Sequence, residues 1–96
     1  MIVSFKDKGT EDLFDGRWTK RARRFPRDIL KVALRKLDMI NAANILEDLK
    51  APPGNRLEAL HGNLKGYFSI RVNDRWRIIF KWENRNAYDV WLTDYH

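Results

Sequence analysis

The chain has 96 residues, 44% of them hydrophobic, no cysteine, and a formal net charge of +6 at pH 7. This length and composition predict one small domain over residues 1–96 and exclude an intrinsically disordered chain. The lack of cysteine excludes disulfides and thiolate metal sites. Because there is neither a long apolar stretch nor a signal-peptide pattern, we expect a cytoplasmic protein that makes no membrane contact.

The positive charge is concentrated in residues 17–36, here called the basic segment, where nine lysines and arginines accompany one acid, Asp28. This segment carries +8, so the rest of the chain carries −2. Such a concentration favours an acidic partner, either nucleic acid, the ribosome or an acidic protein. The cations expected to contact that partner are Arg17, Lys20, Arg21, Arg23, Arg24, Arg27 and Lys31.

The first half of the chain predicts helices. "MIVSF" is a short β-prone opening, and "TEDLFDG" is typical of a short helix that stops at Gly16. A longer helix begins after Pro26, since five apolar residues recur at helical spacing: Leu30, Ala33, Leu34, Leu37 and Ile40. Its polar positions are expected to face away from the core: Arg35, Lys36 and Asp38. "NILEDL" predicts one or two further turns before "APPGN" breaks the chain.

The second half predicts strands. "YFSIRV", "RWRIIFKW" and "AYDVWLTDY" alternate apolar and polar residues and are joined by turn-rich segments. Helices followed by a meander of strands indicate an α+β fold, in which the N-terminal helices pack on one face of a twisted antiparallel sheet.

The apolar pattern also predicts the register. A three-residue loop, residues 73–75, sets Val72 against Trp76 and keeps all the apolar residues on one face, whereas a two-residue loop would mix the faces. The expected pairs are Phe68 with Phe80, Ile70 with Ile78, Phe80 with Val90, and Ile78 with Leu92.

This register sets Arg71 directly opposite Arg77 on the other face of the sheet, with Thr93, Tyr95 and Trp91 beside them. Like charges so placed repel each other. Two facing arginines next to aromatic rings suit phosphate oxygens and stacked bases, so we interpret this face as a phosphate site.

The residues that remain as candidates suit acid–base catalysis at a phosphate group. No glycine-rich phosphate loop is present, and two histidines without cysteine argue against zinc. Cleavage of RNA requires neither a metal nor a covalent protein intermediate, because the 2′-hydroxyl of RNA is a built-in nucleophile. The candidate proton carriers are His61, Tyr95 and His96, and the candidate charge stabilisers are Arg71, Arg77 and Lys65.

Three stretches carry a resemblance to a known family: "MIVSFKDKGTEDLF", "PPGNRLEALHGNLKGYFSIRVNDRWRIIFKW" and the terminal "DYH". Together they resemble the HigB toxins of the RelE/ParE superfamily. The resemblance implies a RelE-like fold and a ribosome-dependent endoribonuclease that cleaves mRNA in the decoding site without a metal or other cofactor. It also implies a HigA-like helix-turn-helix antitoxin as partner, with operator DNA contacted only through the antitoxin complex.

By position, the resemblance implies a catalytic set of His61, Arg77, Asp94, Tyr95 and His96. Arg71 and Lys65 are expected to bind the RNA backbone. Glu58 stands where a characterised HigB type has a histidine, and no role is assigned to it. The basic segment is expected to contact either ribosomal RNA or the antitoxin.

Two other functions fit parts of the sequence. A ParE-like inhibitor of DNA gyrase would share the fold but would have no need of the proton carriers. A non-catalytic nucleic-acid-binding module would explain the charge alone, and would show salt-dependent binding without turnover.

Overall fold

A computed structural model describes residues 1–95 of the chain, so His96 lies outside the described residues. Two helices pack on one face of a four-stranded antiparallel sheet, as predicted. The helices are α1 (Lys8–Phe14) and α2 (Leu30–Ala42). The strands lie in sequence order: β1 (Glu58–Ala59), β2 (Tyr67–Arg71), β3 (Trp76–Glu83) and β4 (Asn86–Asp94). Short 3-10 helices occupy Ala22–Arg24, Arg27–Ile29, Leu46–Leu49, Pro53–Asn55 and Gly62–Leu64.

Helix α1 begins earlier than predicted. Asp7 caps it, because the Asp7 carboxylate accepts from the backbone N–H and the hydroxyl of Thr10. Thr10 is fully buried, and its Oγ1 also accepts from the backbone N–H of Leu92 at 3.0 Å. Thr10, the first residue of the predicted helix, therefore joins α1 to the last strand.

Helix α2 buries Ala33, Leu37 and Ile40 against the sheet, as its spacing predicts. The expectation that Lys36 faces solvent is wrong, since Lys36 is only 6% exposed. Its Nζ donates to the backbone carbonyls of Arg71 and Gly54, at 2.5 and 3.4 Å. A lysine can enter the core in this way because its charged head finds oxygen acceptors there.

The predicted register between β2 and β3 is confirmed. Phe68 pairs with Phe80, Ile70 with Ile78, and Arg71 with Arg77. The connecting loop has the expected length, since the Val72 N–H donates to the carbonyl of Trp76 at 2.8 Å. The Asn73 side chain stabilises this turn by accepting from two backbone N–H groups, those of Arg75 and Trp76.

The register between β3 and β4 contains a bulge that the sequence pattern did not predict. Ile78 pairs with Leu92 as expected, but the register shifts between Ile79 and Lys81. Two residues of β4, Asp89 and Val90, therefore oppose Phe80 where the single pair of Phe80 with Val90 was predicted. The extra residue fits because Asp89 adopts a left-handed conformation with φ of 51°.

The opening segment covers the free edge of β4. Ile2 and Phe5 form parallel bridges to Ala87 and Val90. The Ser4 hydroxyl accepts from the Asp89 N–H at the bulge. Within residues 1–95 no helix is long and apolar enough to cross a membrane.

Candidate active site

The arginine pair lies on the face of the sheet away from the helices, here called the outer face. Arg71 of β2 pairs directly with Arg77 of β3, which in turn pairs with Thr93 of β4. Their neighbours along the strands, including Ile70 and Ile78, belong to the core beneath the helices. Since side chains alternate along a strand, the arginines project from the opposite face.

The Arg77 side chain is held in a fixed position. Its Nε donates to Oγ of Ser69 at 2.8 Å, and its Nη2 donates to the carbonyl of Arg56 at 2.9 Å. The Glu58 carboxylate lies 3.3 Å from the same Nη2. The Arg77 side chain is 12% exposed, and its other terminal nitrogen, Nη1, makes no hydrogen bond within residues 1–95. A rigid guanidinium with one donor edge unused suits an anionic oxygen.

The repulsion between the two arginines is relieved because each has its own carboxylate. Arg71 pairs with Asp74 in the following turn, and Arg77 pairs with Glu58 on β1. Both acids are well exposed, at 91% for Asp74 and 58% for Glu58. Each carboxylate can therefore move aside into water when another anion reaches the arginine.

A third cation lies beneath the pair. Burial lowers the pKa of Lys36, and the positive charges of Arg35, Arg71 and Arg77 lower it further. Because Nζ of Lys36 bonds the backbone carbonyls of Arg71 and Gly54, it joins α2 to the end of β2 and to the loop that holds Arg77. The residue follows Ala33 by three positions and precedes Ile40 by four, so its helical spacing was the signal that could have predicted its burial.

Asp94 and Tyr95, the last residues that the structure describes, lie at the edge of this site. The Tyr95 N–H donates to the carbonyl of Arg75 at 2.8 Å and so extends the ladder beyond β4. This places Tyr95 diagonally across from Arg77, at about 7–8 Å between the strands. The Tyr95 side chain is 39% exposed. Asp94 pairs with Trp76, a core-side residue, and its Oδ2 lies 2.7 Å from the Arg75 guanidinium. The structure thus brings Arg71, Arg77 and Tyr95 together, with Asp94 on the other side of the same strand.

His61 and Lys65 lie at the other end of the sheet. Both are exposed in the loop between β1 and β2, whose base is closed by the Leu60 N–H bonding to the Tyr67 carbonyl at 2.9 Å. Tyr67 and Arg71 are four residues apart on β2, which corresponds to about 13 Å. The structure therefore does not bring His61 and Lys65 into contact with the arginine pair.

An aromatic cluster lies on the outer face between the arginine pair and the loop that carries His61 and Lys65. The rings of Tyr67 and Trp91 meet edge to face at 5.6 Å. Nζ of Lys6 lies 4.4 Å from the Trp91 ring centre, and Nζ of Lys81 lies 4.9 Å from that of Tyr67. Sequence reasoning found Trp91 but missed the others. Strand alternation alone was the signal for Tyr67 and Lys81, whereas Lys6 comes from the opening segment.

The basic segment is anchored by a buried acid, Asp12, which is 2% exposed. Its carboxylate accepts from the Thr19 hydroxyl at 2.7 Å and pairs with Arg21 at 3.2 Å and Arg17 at 3.3 Å. The Thr19 hydrogen bond is the largest single cause that lowers the pKa of Asp12, and Arg21 and Arg17 lower it further, although burial acts in the opposite sense. The other predicted contact cations are exposed and form no ion pair within residues 1–95: Lys20, Arg23, Arg24, Arg27 and Lys31.

Comparison with known proteins matches residues 3–96 to the family described as the RelE-like toxin of type II toxin-antitoxin system HigB. Toxin HigB-1 of Vibrio cholerae is 45% identical over 92 residues, which cover 96% of this chain and 95% of that protein. Endoribonuclease HigB of Proteus vulgaris is 35% identical over 96 residues and the full length of both chains.

The fold has a counterpart among solved structures. A chain in the YoeB–YefM complex from Staphylococcus aureus superposes with a TM-score of 0.62 at 20% identity, covering 100% of this chain and 98% of that one. This likeness confirms the predicted RelE-like fold. With a family match over nearly its whole length and full-length relatives of the same name, the chain belongs to the HigB-like toxins of type II toxin–antitoxin systems.

Proposed function

We propose that this toxin is an endoribonuclease that cuts mRNA in the decoding site of the ribosome, without a metal, and so stops translation. The observation that carries the proposal is the Nη1 edge of Arg77, which makes no hydrogen bond within residues 1–95 and lies opposite Arg71 and diagonally across from Tyr95. The name of the Proteus vulgaris relative, an endoribonuclease, supports the same reaction.

In the proposed reaction the 2′-oxygen of one nucleotide attacks the adjacent phosphorus. The new O–P bond forms as the bond to the 5′-oxygen breaks, leaving a cyclic phosphate and a 5′-hydroxyl. Arg77 stabilises the negative charge that develops on the phosphate oxygens, and Arg71 assists once Asp74 moves into solvent. Tyr95 and His96 are proposed to carry the proton from the 2′-hydroxyl and the proton to the leaving oxygen, and Asp94 to hold this end of β4 through Arg75.

His61 and Lys65 take a different part in this proposal. Their loop lies about 13 Å along the strands from the arginine pair, too far to reach the same phosphate. They contact the backbone of a neighbouring nucleotide, and the aromatic cluster of Tyr67 and Trp91 lies beneath the RNA between them. This alignment fixes the scissile phosphate over Arg77.

The shape and charge of the site support the proposed dependence on the ribosome. The outer face is an open sheet surface on which both arginines already have carboxylate partners, so free RNA is held weakly. The ribosome presents the mRNA in a fixed geometry and removes that orientational cost. The exposed cations Lys20, Arg23 and Arg24 are proposed to hold the toxin on ribosomal RNA through phosphate contacts.

The test maps mRNA 5′ ends in a purified translation reaction with and without the untagged chain, and repeats it without ribosomes. We expect new ends within the translated frame only when ribosomes are present. Intact mRNA together with normal translation would refute the proposal, and cleavage of free mRNA at the same rate would refute the ribosome dependence.

A further inference from the structure

A groove that the proposed reaction does not use lies on the helix side of the molecule. It has a volume of about 300 Å³ and runs between the end of α1, the start of the basic segment and α2. Leu13, Leu30 and Leu34 line its floor, Trp18 forms a wall, and Arg17 and Arg27 lie at its rim. We propose that this groove binds the antitoxin, through a segment that inserts an apolar side chain beside Trp18 and offers a carboxylate to Arg27, since Arg17 already pairs with Asp12 and Asp15.

The Trp18 side chain is exposed, whereas the chain on both sides of it is fixed. Its residue is 44% exposed. The residues on either side are both fixed to Asp12, since the Arg17 N–H donates to the Asp12 carbonyl at 2.8 Å and the Thr19 hydroxyl donates to the Asp12 carboxylate at 2.7 Å. Because the backbone around Trp18 is already ordered, covering the ring requires ordering of the side chain only, and this lowers the entropic cost of binding. Exposed tryptophans of this kind are the side chains most often responsible for binding energy at protein interfaces.

The positive charge at the rim of the groove favours a partner with acidic side chains. Arg27, in the 3-10 helix that precedes α2, forms no ion pair within residues 1–95, and Lys31 in the first turn of α2 forms none there either. The floor, however, is aliphatic, and a nucleic acid that used the Trp18 ring and the rim arginines would leave the three leucines without an apolar partner. A groove with an aliphatic floor and cations at its rim suits a peptide that carries a leucine-like side chain flanked by aspartate or glutamate.

The antitoxin is the partner that this protein must have, because the family is one half of a toxin–antitoxin pair. The chain carries +6, so an acidic segment of its partner would find it by electrostatic attraction. The groove lies on the opposite side of the sheet from Arg77, so an antitoxin bound there leaves the outer face uncovered and acts by keeping the toxin from its target. The inference does not depend on the proposed ribonuclease reaction.

The test measures the affinity of the refolded full-length chain for the antitoxin encoded beside its gene, by titration calorimetry. Two variants probe the groove, Trp18→Ala and Arg27→Glu. Two matched controls change an exposed apolar residue and an exposed arginine elsewhere, Ile45→Ala and Arg85→Glu. We expect each groove variant to raise Kd by roughly tenfold or more and each control to change it by less than about twofold.

Circular dichroism melting checks that all four variants fold. Arg27 is exposed, so Arg27→Glu keeps the test decisive if Trp18→Ala fails to fold. Parent affinity in a folded groove variant would overturn the proposal, as would equal weakening in the controls. Loss of ribosome binding with unchanged antitoxin binding would also overturn it and would assign the groove to ribosomal RNA. Cleavage in the translation assay is measured separately, so failure here and failure of the proposed reaction are distinguishable.

Discussion

The Glu58 carboxylate lies 3.3 Å from Nη2 of Arg77, so the guanidinium proposed to bind the scissile phosphate is already partly neutralised by its own chain. The two partners differ in exposure, at 58% for the Glu58 side chain and 12% for that of Arg77. The acid can therefore leave while the arginine stays with Ser69 and Arg56. A phosphate that approaches Arg77 competes with Glu58 for it.

Replacing this competitor should increase activity. In Glu58→Gln the side chain keeps its size but loses the charge, so the RNA phosphate no longer displaces an ion pair. We expect kcat/KM for mRNA cleavage on ribosomes to rise by up to about fivefold, the equivalent of an exposed ion pair of about 1 kcal/mol. A decrease of tenfold or more would mean instead that Glu58 holds Arg77 in place or transfers a proton.

Removal of the arginine itself should abolish most of the activity. We expect Arg77→Ala to lower kcat by about 100-fold or more, the typical effect of losing a donor to a developing negative charge. Arg77→Lys keeps the charge but loses the planar fork that contacts Ser69 and Arg56, so it should recover only part of the rate. Arg85→Ala, in the turn between β3 and β4, is the matched control. Cleavage by folded Arg77→Ala at the parent rate would exclude the proposed role.

The sequence was sufficient to predict the arginine pair because the apolar residues of β2 and β3 allow only one register. Burial of Ile70 and Ile78 beneath the helices sets Arg71 against Arg77 without any further information. Only one of the two hydrogen bonds that hold Arg77 could be predicted from the sequence pattern. The Ser69 hydroxyl follows from strand alternation, but the Arg56 carbonyl depends on a left-handed backbone at φ of 46° in a loop with no pattern of its own.

The bulge opposite Phe80 was missed for a similar reason. Asp89 takes a positive φ without the glycine that usually marks such a position, and the stabilising contact comes from Ser4 at the far end of the sequence. Lys36 was misjudged by residue type, since its spacing on α2 was that of a core residue. The bulge depends on a contact between distant segments, and the spacing of apolar residues does not indicate such a contact.

The buried Lys36 should give stability a distinct pH dependence. Burial lowers its pKa in the folded chain below the ordinary value of 10.5. The fold thus disfavours the charged lysine; this penalty is complete below the folded pKa and disappears as the pH rises towards 10.5. We expect the unfolding free energy of the parent, minus that of Lys36→Met, to increase with pH over that upper range in urea titrations. A constant or falling difference would contradict the assignment, and Lys31→Met, on the exposed side of α2, is the control.

The buried Asp12 should have the opposite effect at low pH. Its pKa is held below the ordinary value of 3.8, foremost by the Thr19 hydrogen bond. The ionised carboxylate therefore stabilises the fold fully above that value, and this stabilisation is lost as the pH falls through the folded pKa. We expect Asp12→Asn to be less stable than the parent at neutral pH, with the difference shrinking in acid.

The same variant tests the link between Asp12 and the groove around Trp18. Because Asp12 fixes the residues on both sides of the ring, Asp12→Asn should also weaken antitoxin binding. Asp15→Asn removes a second carboxylate near Arg17 that is exposed, and should alter neither stability nor affinity appreciably. Equal effects of the two substitutions would exclude a special role for the buried acid.

The end of the chain provides the sharpest test of the proposed proton transfers. The Tyr95 backbone is fixed by its bond to the Arg75 carbonyl, so Tyr95→Phe removes the hydroxyl without altering the strand. We expect a decrease in kcat of about 100-fold, the lower range for a general acid or base.

Removal of His96 is a second test of the proton transfers. A chain that ends at Tyr95 should show a comparable decrease in kcat while it melts at the parent temperature. Each loss should appear in kcat more than in KM, because the phosphate contacts of Arg77 and Arg71 are retained. Cleavage at the parent rate by both variants would show that other groups transfer the protons, and His61 would then be the next residue to replace.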